Sequence, residues 1–255
     1  MICTIVLALL TFSEVRTYLS AQTNSMVFIQ NSHKLDTIKV NVDIDMPYMP
    51  CDVIGIDVED SIGNHMQDYF GHIQKHRIMP DGTYVSDVTQ EERHESRRAM
   101  LERLKREVKE GQGCRLEGYL EVVRIPGNFH VAHHAFNDLL QALHADGVTF
   151  DNTFTINHLS FGDLKDKQTI KDRFPETDIS NPLDGFSREK GDATTMRVGF
   201  FLNAVPSEFE ADHLGNAFIT EAFQLDATYE TDYTYHEDLI IFNYQISPIA
   251  IHYTN

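Results

Sequence analysis

Apolar and polar residues alternate along residues 38–46, and this is the clearest pattern in the chain. The apolar positions are Ile38, Val40, Val42, Ile44 and Met46, and the residues between them are Lys39, Asn41, Asp43 and Asp45. A period of two is typical of a β-strand with one buried face and one solvated face. Pro47 follows directly, and proline cannot continue the hydrogen-bonding ladder of a sheet. The pattern therefore predicts a half-buried strand of an antiparallel sheet.

Similar strand-like segments recur along most of the chain. They cover residues 53–58, 73–79, 116–125, 150–161, 196–205, 218–229 and 239–253. Asp81-Gly82 is typical of a hairpin turn. Residues 163–191 are polar and contain Pro175 and Pro182, so they predict a long loop with little regular structure. Many short strands with few helices between them predict a mainly β fold, a two-sheet antiparallel β-sandwich.

One long amphipathic helix is predicted inside this β-rich pattern, at residues 89–111. Thr89 and Glu92 have the spacing of a capping box, and Gly111 is a suitable C-cap. A narrow apolar stripe runs along the helix, formed by Met100, Leu101, Leu104 and Val108. This stripe predicts a helix that lies on the edge of a sheet, with partner binding as the alternative. Leucine spacing within residues 133–146 indicates a second, shorter helix.

Residues 1–12 are apolar, and Glu14 and Arg16 end this run. A run of this length is shorter than the roughly 20 residues that cross a bilayer. Three interpretations stay open. The run is the core of a signal peptide, although it lacks a basic start, or the end of a transmembrane helix, or a buried helix of a soluble protein. Periodicity alone favours the buried soluble helix.

Composition and charge narrow the function classes. The chain has 255 residues, of which 42% are hydrophobic, so it is long enough for one large domain or two small ones with a sizeable core. Its formal net charge is −18. Proteins that bind nucleic acids through phosphate contacts present lysine and arginine on one face, so nucleic-acid binding is not expected. Binding to an anionic lipid surface is disfavoured for the same reason.

The cysteines are Cys3, Cys51 and Cys114, and no Cys-x-x-Cys pair occurs. A redox motif or a zinc motif therefore has little support. In a reducing cytosol these thiols would stay free, whereas in an oxidising compartment the two cysteines in the body of the chain would pair. Such a bond would close a loop of about 60 residues and stabilise the fold by roughly 4 kcal/mol.

Histidines are the candidates for chemistry, and the chain has 13 of them. His130, His133 and His134 lie close together, and His158 follows. A metal site would combine two or three of them with a carboxylate, but the H-x-x-H-H spacing matches no zinc motif, and no metal site is assigned. Packing and pH sensing are the other two interpretations, since histidine titrates between about pH 5 and 8.

Familiar catalytic patterns are missing from the sequence. It contains no G-x-S-x-G, no P-loop and no G-x-G-x-x-G after a strand. Acidic residues cluster at residues 57–60 and 226–238, where they could bind Ca²⁺ or supply a carboxylate pair, although solvated strand ends have the same composition. We therefore expect a protein that is not an enzyme and needs no cofactor.

A family resemblance is carried by residues 113–131, which read GCRLEGYLEVVRIPGNFHV. This segment resembles the luminal signature of the Erv/ERGIC proteins, membrane receptors that shuttle cargo between the endoplasmic reticulum (ER) and the Golgi. Further stretches resemble the same family in the same order: IKVNVDIDMPYMPC (38–51), INHLSFGD (156–163), NPLDG (181–185), FFLNAVPSEFE (200–210) and FNYQISPIAIHYTN (242–255). Together they cover most of residues 26–255.

The resemblance implies that residues 26–255 form the luminal β-sandwich domain of a cargo receptor, which cycles between ER and Golgi in coated vesicles. Residues 1–20 would be the end of an N-terminal transmembrane helix. Cys51 and Cys114 would form a disulfide, since both positions match cysteines of the family. The implied partners are a paralogous membrane receptor subunit, luminal cargo proteins and, through cytosolic tails, a vesicle coat. The implied location is the membrane of the ER, the ER–Golgi intermediate compartment and the Golgi.

The motifs also supply candidate site residues, either for cargo binding or for pH sensing. They are Gly127, Asn128, Phe129, His130, His133, His134, His158, Ser160, Asn181 and Pro182. The same motifs suit a folding role, because Gly127 permits a tight turn or a close backbone approach and Asn128 can cap that turn. Two other functions stay open: a structural subunit of a membrane complex, and a luminal enzyme with a metal bound by histidine and carboxylate.

Overall fold

The structure is a computed structural model, and it describes most of the chain. The described residues are 2–19, 23–30, 37–63, 65–66, 72–86, 95–132, 137–163, 165, 167–175, 177, 179, 181–191, 193, 195–213, 216–234 and 239–254. Within them, the α-helices are α1 (Ile2–Leu19), α2 (Arg97–Glu110), α3 (Asn137–Ala145) and α4 (Lys167–Arg173). The strands are β1 (Asn24–Ile29), β2 (Thr37–Met46), β3 (Gly55–Asp60), β4 (His65–Met66), β5 (His72–Ile78), β6 (Tyr84–Ser86), β7 (Gly113–Val123), β8 (Gly127–Ala132), β9 (Phe154–Phe161), β10 (Phe186–Arg188), β11 (Arg197–His213), β12 (Asn216–Asp232), β13 (Leu239–Ile246) and β14 (Ile249–Thr254).

The smaller sheet has the strand order β10-β9-β2-β7-β5-β6, and its pairs are all antiparallel. The alternating segment of the sequence forms β2, near the centre of this sheet. Its apolar residues Val40, Val42 and Ile44 are at most 2% exposed. The predicted strand is therefore confirmed, to within one residue at its start, but its polar face is only partly solvated, since Asn41 is 8% exposed.

The larger sheet is mixed, so the expectation of purely antiparallel sheets is wrong there. Its long central strand β11 pairs with β12 as an antiparallel ribbon. On the other side of β11, its first part pairs with β13 and its later part with β14, and both pairs are parallel. The reason is topological: β12 reverses the chain, and β13 then lies on the opposite side of β11, in the same direction. Strands β8, β3 and β4 follow beside β13, and β1 pairs with β14.

One hydrophobic core joins the two sheets. Across β8, β13 and β11, the stacked rings of Phe129, Phe242 and Phe200 have centroids 4.7 and 4.8 Å apart. Phe154 of β9 meets Phe200 edge-on at 6.3 Å and so links the smaller sheet to the larger one. Full burial of a phenylalanine contributes roughly 1.5–3 kcal/mol. The predicted mainly β architecture of two packed sheets is confirmed.

Helix α2 is shorter than the helix predicted at residues 89–111. It begins at Arg97, where the Ser96 hydroxyl accepts a hydrogen bond from the Ala99 N–H at 3.3 Å. The expected capping residues Thr89 and Glu92 lie outside the described residues. The end of the helix agrees with the prediction, because Gly111 adopts a left-handed conformation with φ of 73°.

A charged cluster fixes α2 to the rest of the domain. The guanidinium of Arg103 donates hydrogen bonds to Asp52 at 2.9 Å, to Glu95 at 2.6 Å and to Glu107 at 2.9 Å. Arg77 of β5 also lies 3.6 Å from Glu107. We call this group of residues the Arg103 cluster. The disulfide between Cys51 and Cys114 lies beside it in sequence and has a Cα–Cα distance of 4.9 Å.

The polar interval at residues 163–191 is not the unstructured loop that its composition predicts. It contains the short helix α4 and the short strand β10. Ile170 and Phe174 of this interval pack in a second, small core with Phe209 of β11. These few apolar residues acquire their structure from distant partners, so local composition could not reveal it.

Helix α1 covers most of the apolar N-terminal run, together with Glu14 and Arg16. Its large apolar side chains are exposed rather than buried, for example Leu7 at 65%, Leu9 at 64% and Phe12 at 69%. A buried soluble helix, favoured by periodicity, therefore does not describe it. Among the described residues, no helix combines the length and apolar character that crossing a membrane requires.

Candidate functional site

The Gly-Asn-Phe-His signature forms the first part of β8, between β13 and β3. Phe129 points into the core, where it is fully buried. Because successive side chains of a strand point to opposite faces, Asn128 and His130 lie on the other face of the larger sheet. We call this side, which faces away from the core, the outer face.

Gly127 allows the Glu59 backbone and the Tyr244 side chain to lie very close to β8, beneath the outer face. A Cβ at this position would lie 2.7 Å from the backbone oxygen of Glu59 and 2.7 Å from the Tyr244 hydroxyl. Burial, together with the nearby Asp60 carboxylate, raises the pKa of Tyr244 to about 12, so this phenol stays neutral. The close-approach role predicted for Gly127 is the one that the structure shows.

A chain of polar contacts crosses β3 and β8 on the outer face. The Asn128 amide nitrogen lies 3.5 Å from Glu59 Oε2, and its amide oxygen lies 3.2 Å from Nδ1 of His130. Nε2 of His130 lies 3.4 Å from Oδ2 of Asp57. Asn128 was expected to cap a turn, and its side chain instead orients the imidazole of His130.

His65 of β4 joins this group from the neighbouring strand. Its ring lies nearly parallel to that of His130, with centroids 6.4 Å apart and an interplanar angle of 27°. Asp57, His65 and His130 each offer a metal-binding atom within 4.8 Å of the other two. We call these three residues the His130 cluster. His133 and His134, the other members of the expected histidine group, lie outside the described residues.

An open groove of about 480 Å³ lies on the outer face next to the signature. Its lining includes Gly127 of β8, Phe201 and Asn203 of β11, and Asn243 and Gln245 of β13. The Phe201 side chain is 48% exposed although it is large and apolar. The groove and the His130 cluster therefore occupy neighbouring strands of one face.

The remaining motif residues form a separate cluster on the smaller sheet. Asp184 accepts a hydrogen bond from the Leu159 N–H at 3.0 Å and one from the Asn181 amide at 3.1 Å, and it contacts Nδ1 of His158 at 3.0 Å. Nε2 of His158 lies 2.8 Å from the Ser160 hydroxyl. Pro182 lies exposed in the same turn.

These contacts attach the Asn-Pro-Leu-Asp-Gly turn to β9, which is a folding role. His158 and His130 lie on different sheets, so the structure does not bring all of the predicted site residues together. His65 was missed by reasoning from sequence, because it shares no local motif with His130. The only signal for it was its position after the turn that follows β3.

Comparison with known proteins agrees with the motifs. Residues 81–255 match the family described as "Endoplasmic reticulum vesicle transporter", and residues 1–67 match "Endoplasmic Reticulum-Golgi Intermediate Compartment (ERGIC)". Endoplasmic reticulum-Golgi intermediate compartment protein 1 of Danio rerio is 25% identical over 99% of this chain and 73% of its own length. The probable endoplasmic reticulum-Golgi intermediate compartment protein 3 of Dictyostelium discoideum is 24% identical over 94% of this chain and 76% of its own length.

A solved structure shows the same fold. The crystal structure of Erv41p superposes with a TM-score of 0.59 at 21% sequence identity, and the match covers 91% of this chain and 99% of that chain. The resemblance expected from the motifs is therefore confirmed by family, relatives and fold. The chain belongs to the endoplasmic reticulum vesicle transporter family.

Proposed function

We propose that the β-sandwich lies in the lumen of the early secretory pathway as part of a membrane cargo receptor that cycles between ER and Golgi. Family membership supports the transport role. The disulfide between Cys51 and Cys114 supports an oxidising compartment such as the ER lumen. The exposed apolar side chains of α1 support our proposal that residues 1–20 are the end of a transmembrane helix.

We assign partner and cargo binding to the outer face of the larger sheet. The observation that carries this assignment is the open groove, in which polar side chains surround the exposed ring of Phe201. Protein–protein interfaces commonly place an aromatic anchor among polar groups. The occupants are luminal cargo or a paralogous receptor subunit, whereas a vesicle coat would contact cytosolic segments of the receptor.

A pH-sensing role for the histidines stays a prediction. His158 contacts the Asp184 carboxylate and the Ser160 hydroxyl, so protonation would strengthen its hold on Asp184 rather than release it. The contacts of His158 support a role in positioning the turn at residues 181–185 on β9.

Luminal placement is tested by protease protection in intact microsomes. We expect residues 26–255 to resist added protease until detergent opens the membrane. Digestion in sealed microsomes would contradict the luminal orientation while leaving family membership untouched.

Cargo binding is tested by comparing the contents of ER-derived vesicles between cells with the wild-type protein, without it, and with single variants. Phe201→Ala truncates the anchor of the groove. Tyr84→Ala is the matched control, since Tyr84 is 49% exposed on a strand of the other sheet, against 48% for Phe201. We expect deletion and Phe201→Ala to deplete the same luminal proteins, and Tyr84→Ala to deplete none.

The alternative of a structural subunit predicts a different result. Deletion would then remove other membrane subunits from the vesicles and leave their luminal contents unchanged. Equal effects of Phe201→Ala and Tyr84→Ala would also overturn the assignment of the groove.

A further inference from the structure

We propose that Asp57, His65 and His130 form a binding site for one divalent transition-metal ion such as zinc, and that their donor set favours such an ion over Ca²⁺ and Mg²⁺. The site is built by three adjacent strands of the outer face, β8, β3 and β4. The proposal does not depend on the cargo-receptor function, because it rests only on the geometry of these side chains.

The donor atoms lie close to the separation that a single ion requires. Nε2 of His130 is 3.4 Å from Oδ2 of Asp57. Zinc bonds of about 2.0–2.2 Å in a tetrahedral site place neighbouring donors about 3.4 Å apart. The donor of His65 lies within 4.8 Å of the other two, so each of these separations needs to shrink by at most about 1.4 Å. The His65 side chain is exposed and can make this adjustment by rotation.

The hydrogen bonds around His130 hold its ring in the state that binds a metal. A carboxylate only accepts hydrogen bonds, so the amide nitrogen of Asn128 is the group that faces Glu59. The amide oxygen of Asn128 then faces Nδ1 of His130 and requires a proton on that nitrogen. In the neutral ring, Nε2 consequently presents its lone pair toward Asp57.

The nitrogen lone pair and the carboxylate oxygen repel each other, so a close contact between them requires a cation. The cation is either a metal ion or the second proton of an imidazolium. Histidine ligands of metals characteristically donate their other N–H to an oxygen, as His130 does to Asn128, and this contact fixes the ring and strengthens the bond to the metal. Two imidazoles and one carboxylate suit zinc better than Ca²⁺ or Mg²⁺, which prefer oxygen ligands.

The backbone also organises the site before any ion arrives. Asp57 and His130 are direct cross-strand partners, and they are only 2% and 8% exposed. A buried carboxylate attracts a bound cation more strongly than an exposed one does, because water and salt screen the attraction less. Three protein ligands leave one zinc position open, which water or a side chain of a bound protein would fill.

The test is zinc binding by the purified 255-residue chain, carried on a tag without histidines and kept in mild detergent because of the apolar α1. The protein is stripped with a chelator and titrated with ZnCl₂ by calorimetry, and bound metal is then counted by elemental analysis. We expect one zinc per chain. In a parallel sample Co²⁺ replaces zinc, and we expect the visible absorption of a four-coordinate site.

Single variants locate the ion. His65→Ala removes an exposed ligand, so the fold is kept, and we expect at least a 100-fold loss of zinc affinity together with loss of the Co²⁺ band. Asn128→Ala leaves the ligands in place but removes the group that orients His130, and we expect a loss of about 10–100-fold. His76→Ala is the matched control, because His76 also lies on a strand near a carboxylate, 3.8 Å from Glu117, and belongs to the other sheet.

Two results would overturn the proposal. If the wild-type chain retains no zinc, the contact between Asp57 and His130 is an ion pair of carboxylate and imidazolium. If the wild type and His65→Ala bind zinc equally, the ion lies elsewhere on this histidine-rich chain.

Discussion

The Arg103 cluster and the His130 cluster both hold buried carboxylates, but they neutralise them differently. Burial alone would lower the pKa of Arg103, yet its hydrogen bonds to Asp52, Glu95 and Glu107 outweigh burial and raise that pKa. Its positive charge is therefore permanent. In the His130 cluster, Asp57 faces an imidazole, whose positive charge depends on a proton or on a bound metal.

The Arg103 cluster is therefore structural whether or not a ligand is bound. In the His130 cluster, the positive charge depends on a proton or on a bound metal. The Arg103 cluster joins α2 to the 3-10 helix at Cys51–Val53, and its guanidinium groups carry their charge without any bound ligand. The His130 cluster lies on the outer face beside the groove, where His65 is exposed. A ligand can therefore change the stability of the outer face without changing the attachment of α2.

Arg103→Met breaks the structural cluster and has the largest expected effect. Glu107 and Asp52 lose their main partner, and among the described residues the remaining cation beside them is Arg77, at 3.6 and 3.9 Å. Removing one partner of a buried ion pair costs roughly 3–5 kcal/mol. Denaturant unfolding with the disulfide intact measures this loss in the free energy of unfolding.

Lys105→Met is its control on the same helix, because the ion pairs of Lys105 with Glu102 and Asp146 are exposed. We expect little change in this variant. A similarly small loss for Arg103→Met would show that the Arg103 cluster does not hold the domain together.

The effect of zinc on stability tests the His130 cluster. At a concentration of about 100 times its Kd, a ligand that binds only the folded state stabilises it by about 2.7 kcal/mol. We expect thermal unfolding to show this gain in the wild type and at most about 0.4 kcal/mol of it in His65→Ala, whose Kd is at least 100-fold higher. Arg103→Met should gain as much as the wild type, because distant and independent sites act additively. A smaller gain in Arg103→Met would mean that the two clusters are coupled.

Gly127→Ala disturbs the packing under the outer face. The new methyl group would overlap the Glu59 backbone oxygen and the Tyr244 hydroxyl, and overpacking costs roughly 1–3 kcal/mol. Gly199→Ala in the same sheet is the control, since its Cβ would meet no atom closer than 3.4 Å. Equal stability of the two variants, measured by denaturant unfolding, would contradict a packing role for Gly127.

Tyr244→Phe has the smallest expected effect. Within the described part of the chain, the buried hydroxyl of Tyr244 has no hydrogen-bond partner, so its removal should raise the free energy of unfolding by about 0–1 kcal/mol at neutral pH. Because the folded-state pKa is raised from 10.0 to about 12, the contribution of the neutral phenol is present below pH 10 and is lost as pH rises toward 12. Alkaline unfolding should therefore begin at lower pH in the wild type than in Tyr244→Phe. Identical alkaline profiles would show that Tyr244 ionises as freely as in the unfolded chain.

The sequence predicted those elements that depend on patterns among neighbouring residues. The alternation of residues 38–46 gave β2, and Gly111 marked the end of α2. The start of α2 was missed because the capping-box spacing of Thr89 and Glu92 indicated an earlier start than the cap that Ser96 forms. Ser, Thr, Asp and Asn are all favourable N-caps, so spacing alone does not locate the start of a helix that several such residues precede.

The pairing of strands that lie far apart in the sequence could not be predicted from such patterns. The parallel pairs of β11 with β13 and β14 depend on which side of the ribbon the chain returns to. The His130 cluster has the same origin, since its three residues meet only after β4, β3 and β8 are placed side by side. Spacing directed attention to neighbours of His130 in sequence, whereas its ligand partners are neighbours in the sheet.

Site-specific photocrosslinking in intact ER tests the outer face as the binding surface most directly. A photoreactive phenylalanine analogue replaces Phe201 in one strain and Tyr84 in the other, two side chains of nearly equal exposure on different sheets. We predict crosslinks from position 201 to a paralogous receptor subunit or to luminal cargo, and none of these from position 84. Crosslinks at position 84 alone, or equal crosslinks at both positions, would contradict the outer face as the binding surface.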